Sequence, residues 1–219
     1  MSIQQALFAG SSVSANWPLV DTWTNAAQGD SVSMPNTQSG DILLAFLGWR
    51  SIFTPAAGST FTTITRFNNG GNNIGCGVFA KVCSGPTSFS TSFEFANYDY
   101  VFYCAFRALN AFTSPSSVLW KVGTGNGSTT TPTHNNTVAS FGTNSLALPV
   151  AWYSLTASPP WVPPANTTLV GVDNPSNNTG SVAVSSQEIG TAGGYSWGAW
   201  GSMNTGVFWT TGYVEVQQP

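Results

Sequence analysis

Residues 41–49 read Asp41-Ile42-Leu43-Leu44-Ala45-Phe46-Leu47-Gly48-Trp49, an almost unbroken apolar run. A short apolar run without helical periodicity is typical of a β-strand that is buried on both faces. Short runs rich in β-branched and aromatic residues return along the rest of the chain, separated by clusters of Gly, Pro and Asn. This pattern predicts strands and turns rather than helices.

Alternation of apolar and polar residues predicts several further strands. Residues 98–107 place four apolar side chains on one face, and residues 87–95 alternate Phe with polar residues. Residues 145–152 also alternate, but Pro149 predicts an edge strand or a bulge there, because proline has no N–H for the ladder. Further candidates are 167–172, 181–189, 195–200 and 206–216. About 10–12 strands with short connections predict an all-β fold, an antiparallel β-sandwich of jelly-roll-like architecture.

The two halves of the chain resemble each other. Residues 40–45 are echoed by residues 142–147, and in each half a Pro-containing loop, a Thr-rich strand and an Asn/Gly turn follow in the same order. Such ordered repetition predicts a pseudo-duplicated sandwich, although any chain that alternates strands with Gly/Asn turns can show the same order by coincidence. The predicted organisation is an N-terminal arm or edge strand (1–38) and a β-sandwich (39–219) with halves at 39–122 and 138–219 and a polar connector at 123–137.

Charged side chains are rare in this sequence. The chain of 219 residues has 5 Lys and Arg and 8 Asp and Glu, which is 6%, where a soluble domain has about 25%. Because charged groups perform most acid–base, metal and phosphate chemistry, this composition predicts a non-enzymatic structural or binding protein without a cofactor. The lack of a basic patch argues against nucleic-acid binding, and no apolar run is long enough to span a membrane. The N-terminus has no features of a secretory signal, so we expect a protein made in a cytoplasm.

Few residues are candidates for catalysis or metal binding. His134 is the single histidine and lies in the polar connector, so we expect a solvated loop residue. The carboxylates Glu94 and Asp99, or Asp173 and Glu188, could pair for glycoside hydrolysis, but their positions predict strand-surface and turn residues. The three cysteines are Cys76, Cys83 and Cys104. Cys76 and Cys83 differ in parity, so on one unbroken strand their side chains would face opposite sides of the sheet. All three are expected to be reduced and buried.

Nine tryptophans are the one feature with a functional interpretation. Flat aromatic faces beside neutral hydroxyl and amide groups suit a sugar-binding cleft, and they suit a sandwich core or an oligomer interface equally well. Trp152 alternates with core positions and is predicted to be buried, whereas Trp161 lies in a proline-rich loop and is predicted to be exposed. The candidate glycan or interface aromatics are Trp161, Trp197, Trp200 and Trp209.

Residues 40–46, the segment Pro55-Ala56-Ala57-Gly58-Ser59-Thr60-Phe61 and the Asn/Gly turn after it resemble a pattern of tailed-bacteriophage virion proteins. In those proteins a Gly-Asp-hydrophobic strand and a Pro-x-Gly-type turn precede a Thr-rich strand. An aromatic residue often follows the turn glycine there, whereas this chain has Ser59. The resemblance implies a β-sandwich exposed on a virion, on the head or in the tail, and it supplies no catalytic or binding residues.

Three functional hypotheses follow. The first is a capsid decoration (cement) protein located in the virion, with the major capsid protein or a tail protein as its partner and with a homo-oligomeric state. The second is a carbohydrate-binding tail adhesin that recognises host-surface glycans through exposed tryptophans. The third is a glycan hydrolase, for which the sequence offers too few acids.

Overall fold

The computed structural model describes residues 16–25, 30–49, 60–69, 74–94, 98–128, 131–134, 139–154, 161–173, 180–201 and 208–219. Within them the regular secondary structure is almost entirely β-strand, as predicted. The strands are, in chain order, β1 (Leu19–Asn25), β2 (Ser31–Met34), β3 (Ser39–Trp49), β4 (Thr62–Asn69), β5 (Ile74–Ser84), β6 (Thr87–Ser90), β7 (Tyr100–Phe106), β8 (Val118–Gly127), β9 (Ala139–Phe141), β10 (Ser145–Tyr153), β11 (Thr168–Asp173), β12 (Ser181–Ile189), β13 (Gly193–Tyr195) and β14 (Trp209–Val216). A single helical turn, α1 (Thr91–Glu94), follows β6, and a 3₁₀ turn, Pro115–Ser117, precedes β8.

Two five-stranded antiparallel sheets form a sandwich. The first has the strand order β1-β7-β3-β5-β4, and the second has the order β11-β12-β10-β14-β8. Two small sheets, β2-β6 and β9-β13, complete the set. Each strand of the first half, β1–β7, has the same neighbours as the strand numbered seven higher in the second half, β8–β14. Each half therefore forms its own five-stranded sheet and its own two-stranded sheet.

A shared irregularity in the ladder supports this internal repeat. The pairing of β4 with β5 shifts register between Thr63 and Thr65, and the pairing of β11 with β12 shifts between Leu169 and Gly171. A bulge inserts one residue and bends the strand locally. Both halves thus bend the same edge strand at the same position.

The apolar run at 41–49 explains why four layers form. In β3, Ile42, Leu44 and Phe46 belong to the core between the two large sheets, while Leu43, Ala45 and Leu47 belong to a second cluster with Val32 and Met34 of β2. β3 is therefore buried on both faces, as the sequence predicted. In the second half β9 and β13 cover β10, β12 and β14 in the same way.

Pro149 lies in the middle of a sheet, so the prediction of an edge strand or bulge was wrong. β10 lies between β12 and β14, and its pairing with β12 has the same register on both sides of the proline. The ladder has a gap opposite Pro149, where the Ser185 hydroxyl donates to the Pro149 carbonyl oxygen at 3.5 Å. A side-chain hydroxyl thus contacts the backbone where the proline has no N–H to offer.

Two further strand predictions need correction. Only residues 87–90 of the predicted strand 87–95 are extended, because α1 begins at Thr91. The predicted strand at 195–200 is limited to its first residue, which ends β13. The strands predicted at 98–107, 167–172, 181–189 and 206–216 correspond to β7, β11, β12 and β14.

The ends of the two halves differ from the predicted ranges. β1 pairs with β7 at an edge of the first sheet, which places an edge strand within the predicted arm 1–38. β8 pairs with β14 and starts at Val118, so the second sheet begins within the predicted first half. Of the predicted connector 123–137, residues 129–130 and 135–137 lie outside the described residues. In the described part of the chain no helix is long and apolar enough to span a bilayer.

Candidate functional site

In the described part of the chain, charged side chains form three ion pairs. Arg107 Nε lies 2.8 Å from Asp41 Oδ1, Lys121 Nζ lies 2.6 Å from Glu215 Oε2, and Lys81 Nζ lies 3.7 Å from Glu94 Oε1. In each pair the carboxylate is buried and the cation is only partly so. Six of the ionisable side chains are thus engaged in structural contacts.

Two of these carboxylates, Asp41 and Glu215, make equivalent hydrogen bonds in the two halves. Asp41 accepts a hydrogen bond from the Gln38 backbone N–H at 2.7 Å, and Glu215 accepts one from the Gly142 N–H. Gln38 and Gly142 each lie shortly before the central strand of their sheet. Burial alone would raise the pKa of Glu215, but the hydrogen bonds from Lys121 and Gly142 outweigh it and lower that pKa.

Lys81 and Glu94 form the third pair, on the outer side of the first sheet. The Lys81 ammonium lies 4.7 Å from the Phe61 ring centroid and 4.3 Å from that of Phe89. Glu94 also accepts hydrogen bonds from the Thr60 N–H and hydroxyl, at 2.7 and 2.8 Å. The prediction that Glu94 is an ordinary strand-surface residue was wrong, because α1 turns its side chain toward Lys81.

His134 is buried, which corrects the prediction of a solvated loop residue. Its ring stacks on Tyr213 with centroids 4.3 Å apart, and the Trp200 indole N–H donates to His134 Nε2 at 3.2 Å. Nε2 is therefore the acceptor, and Nδ1 carries the proton of the neutral ring. Burial lowers the pKa of His134 to about 3.

Asp173 and Glu188 do not form a hydrolytic pair. Asp173 ends β11 and is buried, and its Oδ2 accepts a hydrogen bond from the Val101 N–H of the opposite sheet at 2.9 Å. This contact joins the two sheets and replaces the predicted turn role. Asp173 pairs with Val182, whereas Glu188 lies near the far end of β12, about 20 Å away at 3.3 Å per residue.

The candidate tryptophans lie at or near the outer surface of the second sheet. Trp197, Trp200 and Trp209 are buried. Trp161 is half-buried and packs edge-on against Tyr153, with ring centroids 5.0 Å apart. Of the four, only Trp161 keeps part of its ring at the surface, beside Val162, which is 50% exposed. Trp152 is in the central core, as predicted.

The cysteines lie on both sides of the first sheet. Cys76 and Cys104 belong to the core between the large sheets, and Cys83 belongs to the cluster under β2 and β6. All three are free thiols and buried, as their odd number and parity predicted. Burial raises the pKa of each thiol.

Sequence reasoning overlooked the interior ion pairs, although the sequence carries a signal for them. Lys81, Lys121 and Glu215 are single charges inside otherwise apolar strands. A charge at such a position is buried on at least one side and requires a partner. The pattern predicts that a partner exists, but it does not identify Glu94, because α1 was predicted to be strand.

The described residues contain no group of three or more His, Cys, Asp or Glu side chains that could hold a metal ion. A comparison of the chain with protein-family models, with curated proteins and with solved structures found no match.

Proposed function

We propose that this chain is a non-enzymatic structural protein of a bacteriophage particle, most simply a capsid decoration protein that covers or stabilises the virion surface. Its partner would be the major capsid protein or a tail protein of the same virion, and it would act as a homo-oligomer. The sequence resemblance at residues 40–61 suggests the particle. The structural role is supported by the charged side chains that form ion pairs within the fold.

The observation that carries this proposal is the position of eight of the chain's ionisable side chains, the three ion pairs together with Asp173 and His134. Asp41, Glu215 and Glu94 each neutralise one cation and accept hydrogen bonds within the fold. Asp173 joins the two sheets, and His134 is buried as a neutral ring. General acid–base catalysis requires a titratable group that reaches a substrate, and these groups are committed to packing instead.

The surface of the second half suits a neutral interface. No Asp, Glu, Lys or Arg lies between Lys121 and Asp173, so a partner there would be held by apolar burial and neutral hydrogen bonds. Phe208 and Val162 are exposed large apolar side chains in this half, at 43% and 50%. Such an interface depends little on counterions, because Debye screening acts on charges.

Mass spectrometry of purified virions tests this proposal. Hundreds of copies per particle would identify a decoration protein, and a few to tens of copies would identify a tail component. Sedimentation of particles from low to high sodium chloride tests the interface, since we expect the protein to stay attached or bind more tightly. Absence of the protein from the particles, or its release in proportion to ionic strength, would contradict the proposal.

The second candidate function, a tail adhesin that binds host-surface glycans, now depends on Trp161. The other three candidate tryptophans are buried and offer no exposed face for stacking on a sugar ring. A glycan array with the Trp161→Ala variant tests this function. Selective binding that is lost in this variant would favour the adhesin over the decoration protein.

A further inference from the structure

A cavity of about 430 Å³ opens beside β5 in the first half. β4 pairs with residues 74–80 of β5, and its first residue, Thr62, lies opposite Ala80. The last residues of β5, Lys81–Ser84, pair with β3 on one side, and β4 does not reach them on the other. The strand edge left open is the floor of the cavity.

Three separate segments supply the walls of this cavity. Thr60 and Thr62 lie at one side, Pro86 and the start of β6 contribute residues 86–88, and the segment that joins the two halves contributes Thr113 and Pro115. Side-chain hydroxyls dominate the lining. They belong to Thr60, Thr62, Ser84, Thr87, Ser88 and Thr113.

Four of these hydroxyls are available to a ligand. Thr60 binds Glu94, and Thr87 donates to the Gly85 carbonyl oxygen. Within the described residues the structure gives no side-chain hydrogen bond to the hydroxyls of Thr62, Ser84, Ser88 or Thr113. Each hydroxyl can donate one hydrogen bond and accept two.

Lys81 is the one charged residue among those that line the cavity. Glu94 lies 3.7 Å from its ammonium and is almost fully buried beneath it. This carboxylate neutralises the cation, so the cavity offers hydrogen-bond donors and acceptors with little net charge. The Phe61 and Phe89 rings also contact this ammonium, which lies 4.7 and 4.3 Å from their centroids.

We propose that this cavity is a binding site for a neutral saccharide of one or two rings. A sugar hydroxyl both donates and accepts, which matches the hydroxyls of Thr62, Ser84, Ser88 and Thr113, and the volume lies in the range of small-ligand sites. The near-neutral lining does not favour an anion. This site is separate from Trp161 in the second half, and it does not depend on whether the protein belongs to a particle.

Titration of the ¹⁵N-labelled full chain with neutral sugars tests the site by NMR. The probes are glucose, galactose, mannose, N-acetylglucosamine, maltose, cellobiose and lactose, with inorganic phosphate as the anionic comparison. We expect at least one sugar to shift amide signals of residues 60–62, 81–88 and 113–115, with a dissociation constant on the order of 1 mM. No shift with any sugar, shifts mapped elsewhere, or a response to phosphate alone would overturn the proposal.

Variants that remove single hydroxyls provide a second test of the site. Thr62→Val and Ser88→Ala should each weaken binding about three- to tenfold, the effect of one or two lost hydrogen bonds. Thr168→Val is the matched control, because Thr168 pairs with Ser186 in the second half as Thr62 pairs with Ala80 in the first. All three residues are exposed, so the fold should persist, which thermal unfolding verifies. Unchanged binding in the Thr62→Val/Ser88→Ala double variant, or an equal loss in Thr168→Val, would refute the site.

Discussion

Tyr103 and Tyr213 occupy the same position in the two halves of the protein. Tyr103 on β7 pairs with Ala45 of the central strand β3, and Tyr213 on β14 pairs with Pro149 of the central strand β10. Both rings face the small sheet of their own half and are fully buried. Tyr103 meets Phe89 of β6, and Tyr213 meets Phe141 of β9.

We expect Tyr103→Leu and Tyr213→Leu to destabilise the protein by similar and additive amounts. Each removes a buried ring under a small sheet, which costs about 2–4 kcal/mol. The two sites lie on opposite outer faces of the sandwich and share no partner, so their effects should add within about 0.5 kcal/mol. Urea unfolding of the single and double variants measures this, and strong non-additivity would contradict the four-layer arrangement.

The sequence predicted the buried strands well because their signal is local. Residues 41–49 are apolar at positions of both parities, and this alone requires a layer on each face of β3. The same local signal placed Trp152 and the three cysteines in the interior. The repeat was also visible, because each half places its glycine, proline and asparagine residues in the same order.

Errors arose where a long-range contact decides the environment. His134 looks solvated in a polar segment, and only the folded chain brings it to Tyr213 and Trp200. Pro149 looks like an edge residue, and only the sheet order places β10 in the centre. Glu94 continues an alternating pattern, but its hydrogen bonds to Thr60 stabilise a turn there instead.

Acid should destabilise the protein through His134 as the pH falls below about 6.5. The folded-state pKa of His134 is about 3 and the unfolded value is about 6.5, so below pH 6.5 the unfolded state binds a proton that the folded state does not. The free energy of unfolding should fall by about 2 kcal/mol between pH 6.5 and pH 5. Urea unfolding at these pH values measures it.

The variant His134→Gln is the control for this pH dependence. Because the chain has a single histidine, the variant should show almost no change in stability between pH 6.5 and pH 5. Below about pH 4.5 both proteins should lose stability as carboxylates such as Glu215 become protonated. Equal pH dependence of the two proteins above pH 5 would mean that His134 is solvated.

Lys121→Met should destabilise the protein by about 3–5 kcal/mol at pH 7, because it leaves the buried Glu215 carboxylate without its cation. Glu215 has a lowered pKa in the folded state, so the pair stabilises the fold above the unfolded pKa of about 4.5 and loses this effect as the pH falls. The double variant Lys121→Met/Glu215→Gln should recover part of the loss. If the single and double variants were equally stable at pH 7, Glu215 would not depend on Lys121.

The three thiols should be inert in the folded protein and reactive after unfolding. Cys76, Cys83 and Cys104 are buried, and burial raises the pKa of each, so little thiolate is present near neutral pH. Titration with Ellman's reagent under non-reducing conditions should detect all three only in denaturant. A single reactive thiol in denaturant would indicate a disulfide between the other two.

Gly212→Ala should destabilise the core, whereas Gly198→Ala should not. A Cβ at position 212 would overlap the Trp120 indole, which packs against Trp152 in the central core with ring centroids 6.4 Å apart. Because interiors are close-packed, the indole can yield only by displacing its neighbours, which costs about 1–3 kcal/mol. A Cβ at position 198 meets no atom within 4 Å, so this variant controls for the general effect of replacing glycine. Thermal and urea unfolding compare the two variants, and equal stability would mean that Trp120 does not occupy the space over Gly212.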